Sequence, residues 1–193
     1  MQVRVATERD VDGVTAVFTA AFAHDPLWSW AFPDPEAMAV WWRYYVRSAL
    51  RYPCMRIADD YAAAAIWIPP GGTELTAEEE AGVEALVAEL AGPRAPEILQ
   101  LLERFETCHR AVEQPYYYLT MLGTHPDHRG KGLGMALLAA CLETIDGEGA
   151  PAYLESSNAA NDPRYERHGF VRVGSFMRPD GQVTVSTMWR EAR

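Results

Sequence analysis

Cysteine, positive charge and long apolar runs are what this chain has least of. Its three cysteines, Cys54, Cys108 and Cys141, stand far apart and lack the paired spacing of a metal or redox motif. They exclude a disulfide scaffold and fit a reducing, cytoplasmic setting. Lysine and arginine together number 17 against 27 acidic residues, a formal net charge of −10. Nucleic-acid binders are normally basic, so no nucleic-acid partner is expected. An acidic balance favours cationic small molecules or basic peptides instead. No apolar run reaches the ~18 residues of a membrane span, and Met1-Gln2-Val3-Arg4-Val5-Ala6 has no signal-peptide core. No membrane partner is expected. Repeats, low-complexity tracts and linkers are also missing. The 193 residues, 49% of them hydrophobic, therefore read as one globular domain, 1–193, acting as a monomer or homodimer.

What is present concentrates between Tyr116 and Leu138. Tyr116 to Thr124 reads as a strand and His125-Pro126-Asp127-His128 as a turn. Arg129-Gly130-Lys131-Gly132-Leu133-Gly134 then forms a glycine-rich loop, and Met135 onward a helix. Glycine lets main chain approach a ligand without a Cβ in the way. The first amides of a helix have no partner and carry the positive end of its dipole. The combination predicts an anion cradle for a phosphate or diphosphate. Neither nucleotide motif fits. Lys131 is followed by Gly132 rather than Ser or Thr, and Met135 or Leu137 falls where a dinucleotide loop needs its last glycine. His125 and His128 flank Asp127, yet a solvated loop explains them and no metal is expected.

Before this stretch, Val3–Ala6 reads as a strand, and Val11, Val14, Val17, Phe18, Ala21 and Phe22 form a helical stripe. A proline-bounded loop with Trp28, Trp30 and Phe32 follows, then a helix carrying Trp41, Trp42, Tyr44 and Tyr45. Such a loop is expected at the surface, and its aromatics suit a slot for a planar acceptor. Asp25 either pairs with a cationic amine there or caps the next turn. A hairpin turning at Asp59-Asp60, an acidic helix from Thr76 and a helix over Pro96–His109 come next. After the central helix come a strand at Ala152–Glu155, a short helix near Pro163 and a closing strand pair. The expected order is β-α-α-β-β-α-α-β-α-β-α-β-β.

A second motif stands in Leu154-Glu155-x-Ser157 and Asn161-x-Pro163-x-Tyr165-Glu166-Arg167-x-Gly169-Phe170. With Arg129-x-x-Gly132-x-Gly134, it resembles the GNAT superfamily of N-acyltransferases over nearly the whole chain. After Tyr116 it resembles more narrowly the puromycin-acetylating branch. The resemblance implies an α/β (α+β) GNAT fold, with a mixed central sheet splayed between strands 4 and 5 and helices on both faces. It implies acetyl-CoA as co-substrate. The main chain of Leu122, Gly123 and Thr124 would lie on the pantetheine and acyl carbonyl, and Arg129, Gly130, Lys131, Gly132, Leu133, Gly134 and Met135 on the diphosphate. Asn161 would lie beside the pantetheine arm. Thr124 stands where the family prefers valine, which leaves a main-chain role intact.

Catalysis is then expected from Tyr165, donating a proton to the departing thiolate with an ordinary pKa of about 10; the alternative is a core tyrosine beside Phe170. Glu155 is the first choice of base and His109 the second; the alternatives are a structural carboxylate and a bystander imidazole. Asp25, Trp28, Trp30 and His109 are the candidate acceptor-side residues. The expected reaction is acetylation of a small-molecule amine such as an antibiotic or aminonucleoside. Acetylation of peptide amines and a non-catalytic acyl-CoA-binding module are the competing readings.

Overall fold

The computed structural model describes residues 1–193. The chain runs β1 (Val3–Val5), α1 (Val11–Phe22), α2 (Trp28–Ala31), α3 (Pro35–Ala49), β2 (Met55–Ala58), β3 (Ala63–Ile68), α4 (Ala77–Ala91) and α5 (Ala95–Arg110). It continues through β4 (Tyr117–Thr124), α6 (Leu133–Gly147), β5 (Ala152–Ser156), α7 (Asp162–Glu166), β6 (Val171–Met177) and β7 (Thr184–Arg190). The expected order holds with one addition, the single-turn helix α2. The segment between Pro26 and Pro33 is therefore not the surface loop it was expected to be. Leu27 and Phe32 are buried, Phe32 at 1% exposure, and burying such side chains stabilises by about 1.5–3 kcal/mol each. Asp25 starts the turn, its Oδ1 accepting the amides of Leu27 at 2.9 Å and Trp28 at 3.1 Å.

Local chemistry explains the other helix starts. Asp34 caps α3, taking the Glu36 amide at 3.1 Å ahead of Pro35 at the first helical position. Thr76 and Glu79 form a reciprocal box at the start of α4, at 3.2 and 2.8 Å. No helix is long and apolar enough to cross a membrane.

The seven strands form one sheet in the order β1-β2-β3-β4-β5-β7-β6, antiparallel except for β4 beside β5. Alternation along β3 sorts its side chains to two faces. Ala64, Ile66 and Ile68 meet α1, α3, α4 and α5 residues such as Phe18, Trp41, Val87 and Ile98. Ala63, Ala65 and Trp67 meet Leu137, Leu138 and Cys141 of α6. Helices thus cover both faces.

The parallel pair opens partway along. Tyr117, Tyr118 and Leu119 pair with Ala152, Tyr153 and Leu154, and no pairing follows. Beyond that point β4 stays on β3 as far as Thr124↔Ala63, and β5 stays on β7 as far as Ser156↔Ser186. The sheet is splayed between strands 4 and 5, as the resemblance implied. A bulge marks the opening: Leu119 faces Trp67 and Met121 faces Ile66, leaving Thr120 as the extra residue. Such an insertion bends the strand and re-aims its side chains.

Candidate active site

One side of the opened seam is a cavity of about 610 Å³ lined by Leu122, Gly123 and Thr124 from β4 and by the loop before α6. The three loop glycines serve different needs. Gly130 and Gly132 have left-handed φ values of +78° and +73°, with open space where a Cβ would stand. Gly134 is a packing glycine, since a Cβ there would lie 2.5 Å from Thr124 Oγ1. The first helical bond runs from the Ala136 amide to the Gly132 carbonyl at 3.0 Å. The amides of Leu133, Gly134 and Met135 ahead of it therefore have no helical acceptor. Arg129 reaches across the cavity to donate to the Ala21 carbonyl at 2.8 Å. Lys131 is exposed and is not part of the cavity wall.

The second motif enters the same cavity through Asn158, Asn161, Arg164 and Tyr165. Asn161 Oδ1 accepts from Arg164 at 2.9 Å. Tyr165 packs edge-on to Phe170 at 6.2 Å, and its hydroxyl has no hydrogen-bond partner within the chain. Burial, followed by the charges of Asp25 and Asp162, pushes its phenol up to about 12. It stays protonated at neutral pH.

On the other side lies a larger cavity of about 930 Å³, between the seam and helices α3, α4 and α5. Glu155 and His109, 46 positions apart (155 − 109) in the sequence, meet here, with His109 Nε2 3.1 Å from Glu155 Oε1. The Glu155 side chain is only 1% exposed, so the partial exposure of the residue lies in its main chain on the opened strand. Neither carboxylate oxygen has a well-formed hydrogen bond; His109 is close enough to pair as an ion but poorly angled. On its other nitrogen, His109 Nδ1 lies 2.9 Å from the Tyr116 hydroxyl. Burial and then Glu155 raise that phenol to about 12, so Tyr116 is the donor and Nε2 of neutral His109 carries the proton facing Glu155. Burial pulls the imidazole pKa down, but Glu155 and the nearby Glu74 and Glu106 outweigh it, leaving His109 raised.

Sequence reasoning missed Glu74, in the turn after β3. Its Oε1 accepts from the bulge residue Thr120, and burial raises it to about 7. Only the bulge and the pairing of β3 with β4 bring it to the cavity. Trp28, Trp42, Tyr45 and Phe105 supply aromatic walls. Trp30 does not line this cavity; it stacks under Arg94 at 4.7 Å and Arg178 at 5.0 Å.

The two cavities abut along three chain segments. Met121 lines one and Leu122 the other; Ser157 lines one and Asn158 the other; Trp28 lines one and Asp25 the other. Asp25 Oδ2 accepts from Ser157 Oγ at 2.7 Å across this boundary. Asp25 is thus both the cap of α2 and a buried tie between the two spaces, and burial raises its carboxyl against the three hydrogen bonds that favour ionisation.

Comparison with known proteins bears on this geometry. Residues 24–170 match the model of the Acetyltransferase (GNAT) family. An uncharacterized N-acetyltransferase of Schizosaccharomyces pombe is 38% identical over 77 residues, a match spanning 39% of this chain and 31% of that protein. Among solved structures, a histone acetyltransferase HPA2 and related acetyltransferase from Corynebacterium glutamicum is similar at TM-score 0.70 and 21% identity, covering 100% of this chain and 96% of that one. Arylalkylamine N-acetyltransferase 2 from Aedes aegypti gives 0.71 and 15%, covering 100% and 99%. A Drosophila melanogaster polyamine N-acetyltransferase that forms N-acetylagmatine gives 0.69 and 19%, covering 98% and 99%.

Proposed function

This chain belongs to the acetyltransferase (GNAT) family, and on that footing we propose that it acts over residues 1–193 as one domain, moving an acetyl group from acetyl-CoA to the amine of a small molecule in a ternary complex. The observation carrying this reading is the meeting of two cavities at the opened seam, with a buried carboxylate lacking hydrogen bonds on one side and a glycine-lined helix start on the other. The residues fit the co-substrate, since Gly130 and Gly132 leave open the space that side chains would fill.

Acetyl-CoA, when bound, supplies the activated acyl group as a thioester. The free amides of Leu133, Gly134 and Met135, with Arg129, Gly130 and Gly132, hold its diphosphate; helix starts favour anions by about 0.3–1 kcal/mol. Lys131 contributes only its charge from outside the wall. The main chain of Leu122, Gly123 and Thr124, freed from β5, holds the pantetheine with Asn161. Glu155, backed by His109 and Tyr116, takes the proton from the attacking amine, a role worth about 10²–10⁴ in rate. Tyr165 Oη gives a proton to the sulfur that departs. Holding both partners at the seam contributes more, up to about 7–11 kcal/mol in favourable cases.

The walled aromatic cavity supports a small amine over a peptide; solved neighbours include enzymes named for arylalkylamine, agmatine and polyamine acetylation as well as for histone and ribosomal-protein acetylation. An aminonucleoside antibiotic of the puromycin type is a narrower reading, supported by the stretch from Asn161 to Phe170. Calorimetry with coenzyme A, followed by thiol release across puromycin, arylalkylamines, polyamines and peptides, tests both readings. Binding of coenzyme A with turnover of small amines is expected. A flat titration, or turnover confined to peptides, refutes the proposal.

A further inference from the structure

The walls of the larger cavity are unbalanced in charge. Glu74, Glu80, Glu84, Glu103, Glu106 and Glu155 all face it, against Arg110 and His109. Arg110 sits on Glu106 at 3.1 Å at the exposed rim, and His109 sits on Glu155 at the buried end. Glu80 has no ion-pair partner. The carboxylates share one space closely enough to perturb each other. Burial and then Glu106 raise Glu80, and burial, with Glu155 and Glu106 adding, raises Glu74. The half-buried Tyr45 phenol is raised by desolvation and by Glu74, Glu80 and Glu106 together.

Burial grades along the cavity. Glu155, at 1% side-chain exposure and without a hydrogen bond, lies at the inner end, while Glu106, at 53%, lies at the mouth with exposed Glu80. Trp28 and Phe105 stack at 6.0 Å in the wall of the same cavity. A single cation at Glu155 would leave the mouth uncompensated, whereas a second cation there would meet Glu80, Glu84 and Glu103 together with Glu106, which Arg110 only partly offsets, in a site walled on one side by protein, where charge pairs gain more than in water. Aromatic faces along the way attract a passing cation as well.

We propose that the acceptor is a dication, an amine joined through an apolar spacer to a second positive group, with the reacting nitrogen at Glu155 and the distal charge between Glu80 and Glu106. This rests on the acyl-transfer reading and narrows its acceptor class; a puromycin-like monocation becomes one of the weaker acceptors.

Cadaverine and pentylamine have the same carbon chain and differ in the second charge. With acetyl-CoA and the full chain, kcat/KM by thiol release is expected to favour cadaverine about tenfold, about 1.4 kcal/mol, chiefly through KM. The double substitution Glu80→Gln/Glu106→Gln should lower that ratio several-fold, Glu84 and Glu103 remaining in the lining, while Glu143→Gln, exposed on α6 away from the cavity, should leave it in place. Calorimetry with coenzyme A present reads binding of the two amines without turnover. A ratio near one in the unaltered protein, or a ratio the double substitution does not move, overturns the dication site. Selective cadaverine binding without thiol release from either amine supports the dication site and overturns the acyl-transfer reading. Thiol release with equal binding of both amines does the reverse.

Discussion

Replacing Glu155 with glutamine separates a functional carboxylate from a structural one, because the two roles predict opposite signs. At 3.1 Å, the attraction between Glu155 and a protonated His109 is about 5 kcal/mol at an effective dielectric of about 20. Taking each ion out of water costs several kcal/mol, and neither Glu155 oxygen recovers that cost through a well-formed hydrogen bond. The pair is therefore close to neutral for folding. Glu155→Gln is expected to leave stability within about 1 kcal/mol, shifting Tm by no more than about 2–4 °C, with a rise as welcome as a fall. Activity should behave differently, with kcat/KM dropping by about 10²–10⁴, or about 3–5 kcal/mol of transition-state stabilisation. Protonation of His109 follows the same charge. In the unaltered protein its pKa is raised, so its contribution to stability is full below about 6.5 and is lost as pH rises through the folded value. The activity limb that needs neutral His109 accordingly lies above 6.5. Without Glu155 the strongest influences raising His109 are gone, leaving burial against Glu74 and Glu106, and the limb moves to lower pH. Thiol-release kinetics from pH 5 to 9 and a thermal melt measure all of this. A large loss of Tm with unchanged kcat/KM would refute the reasoning, since it would make Glu155 a structural group.

Tyr165→Phe should lower kcat about a hundredfold while calorimetric affinity for coenzyme A stays constant; unchanged kcat removes the proton-donor role. Gly132→Ala forces an alanine to φ +73° in open space, costing about 1–2 kcal/mol and weakening coenzyme A binding. Gly134→Ala places a Cβ 2.5 Å from Thr124 Oγ1, so Tm should fall with about 1–3 kcal/mol of overpacking; adding Thr124→Ala should recover most of it, as a melt of the double variant will read. Asp10 accepts from Arg4, Thr7 and Tyr61 at 2.6 to 2.9 Å, and Arg4 holds its carboxyl well below the usual range. Asp10→Ala should therefore cost about 1–3 kcal/mol in urea unfolding at pH 7, a gap that narrows only below about pH 4, as the unfolded carboxyl protonates first.

Much of the fold was legible because its signals are local. The Thr76–Glu79 box, Asp34 before Pro35 and the helical stripe from Val11 to Phe22 each specify an element from a few neighbouring residues. The aromatic segment after Pro26 was not, because its fate depends on α3 and the core beneath it. Phe32 lies against Trp41 at 4.9 Å, and that contact turns an apparent loop into a buried turn of helix. Trp28 and Trp30, equivalent on paper, part on opposite sides of that turn. Glu74 carried no signal at all, since its importance depends on a one-residue bulge in a strand far along the chain.

The amino-acid order alone determined the glycine-lined helix start, the Tyr165 segment and the succession of strands and helices, since each rests on backbone preferences and side-chain spacing within a few residues. Tertiary structure decided where β4 leaves β5, that His109 finds Glu155, and that six carboxylates surround one cavity. Those juxtapositions depend on strand register and helix packing, which join residues distant in the chain and leave no periodic trace along it.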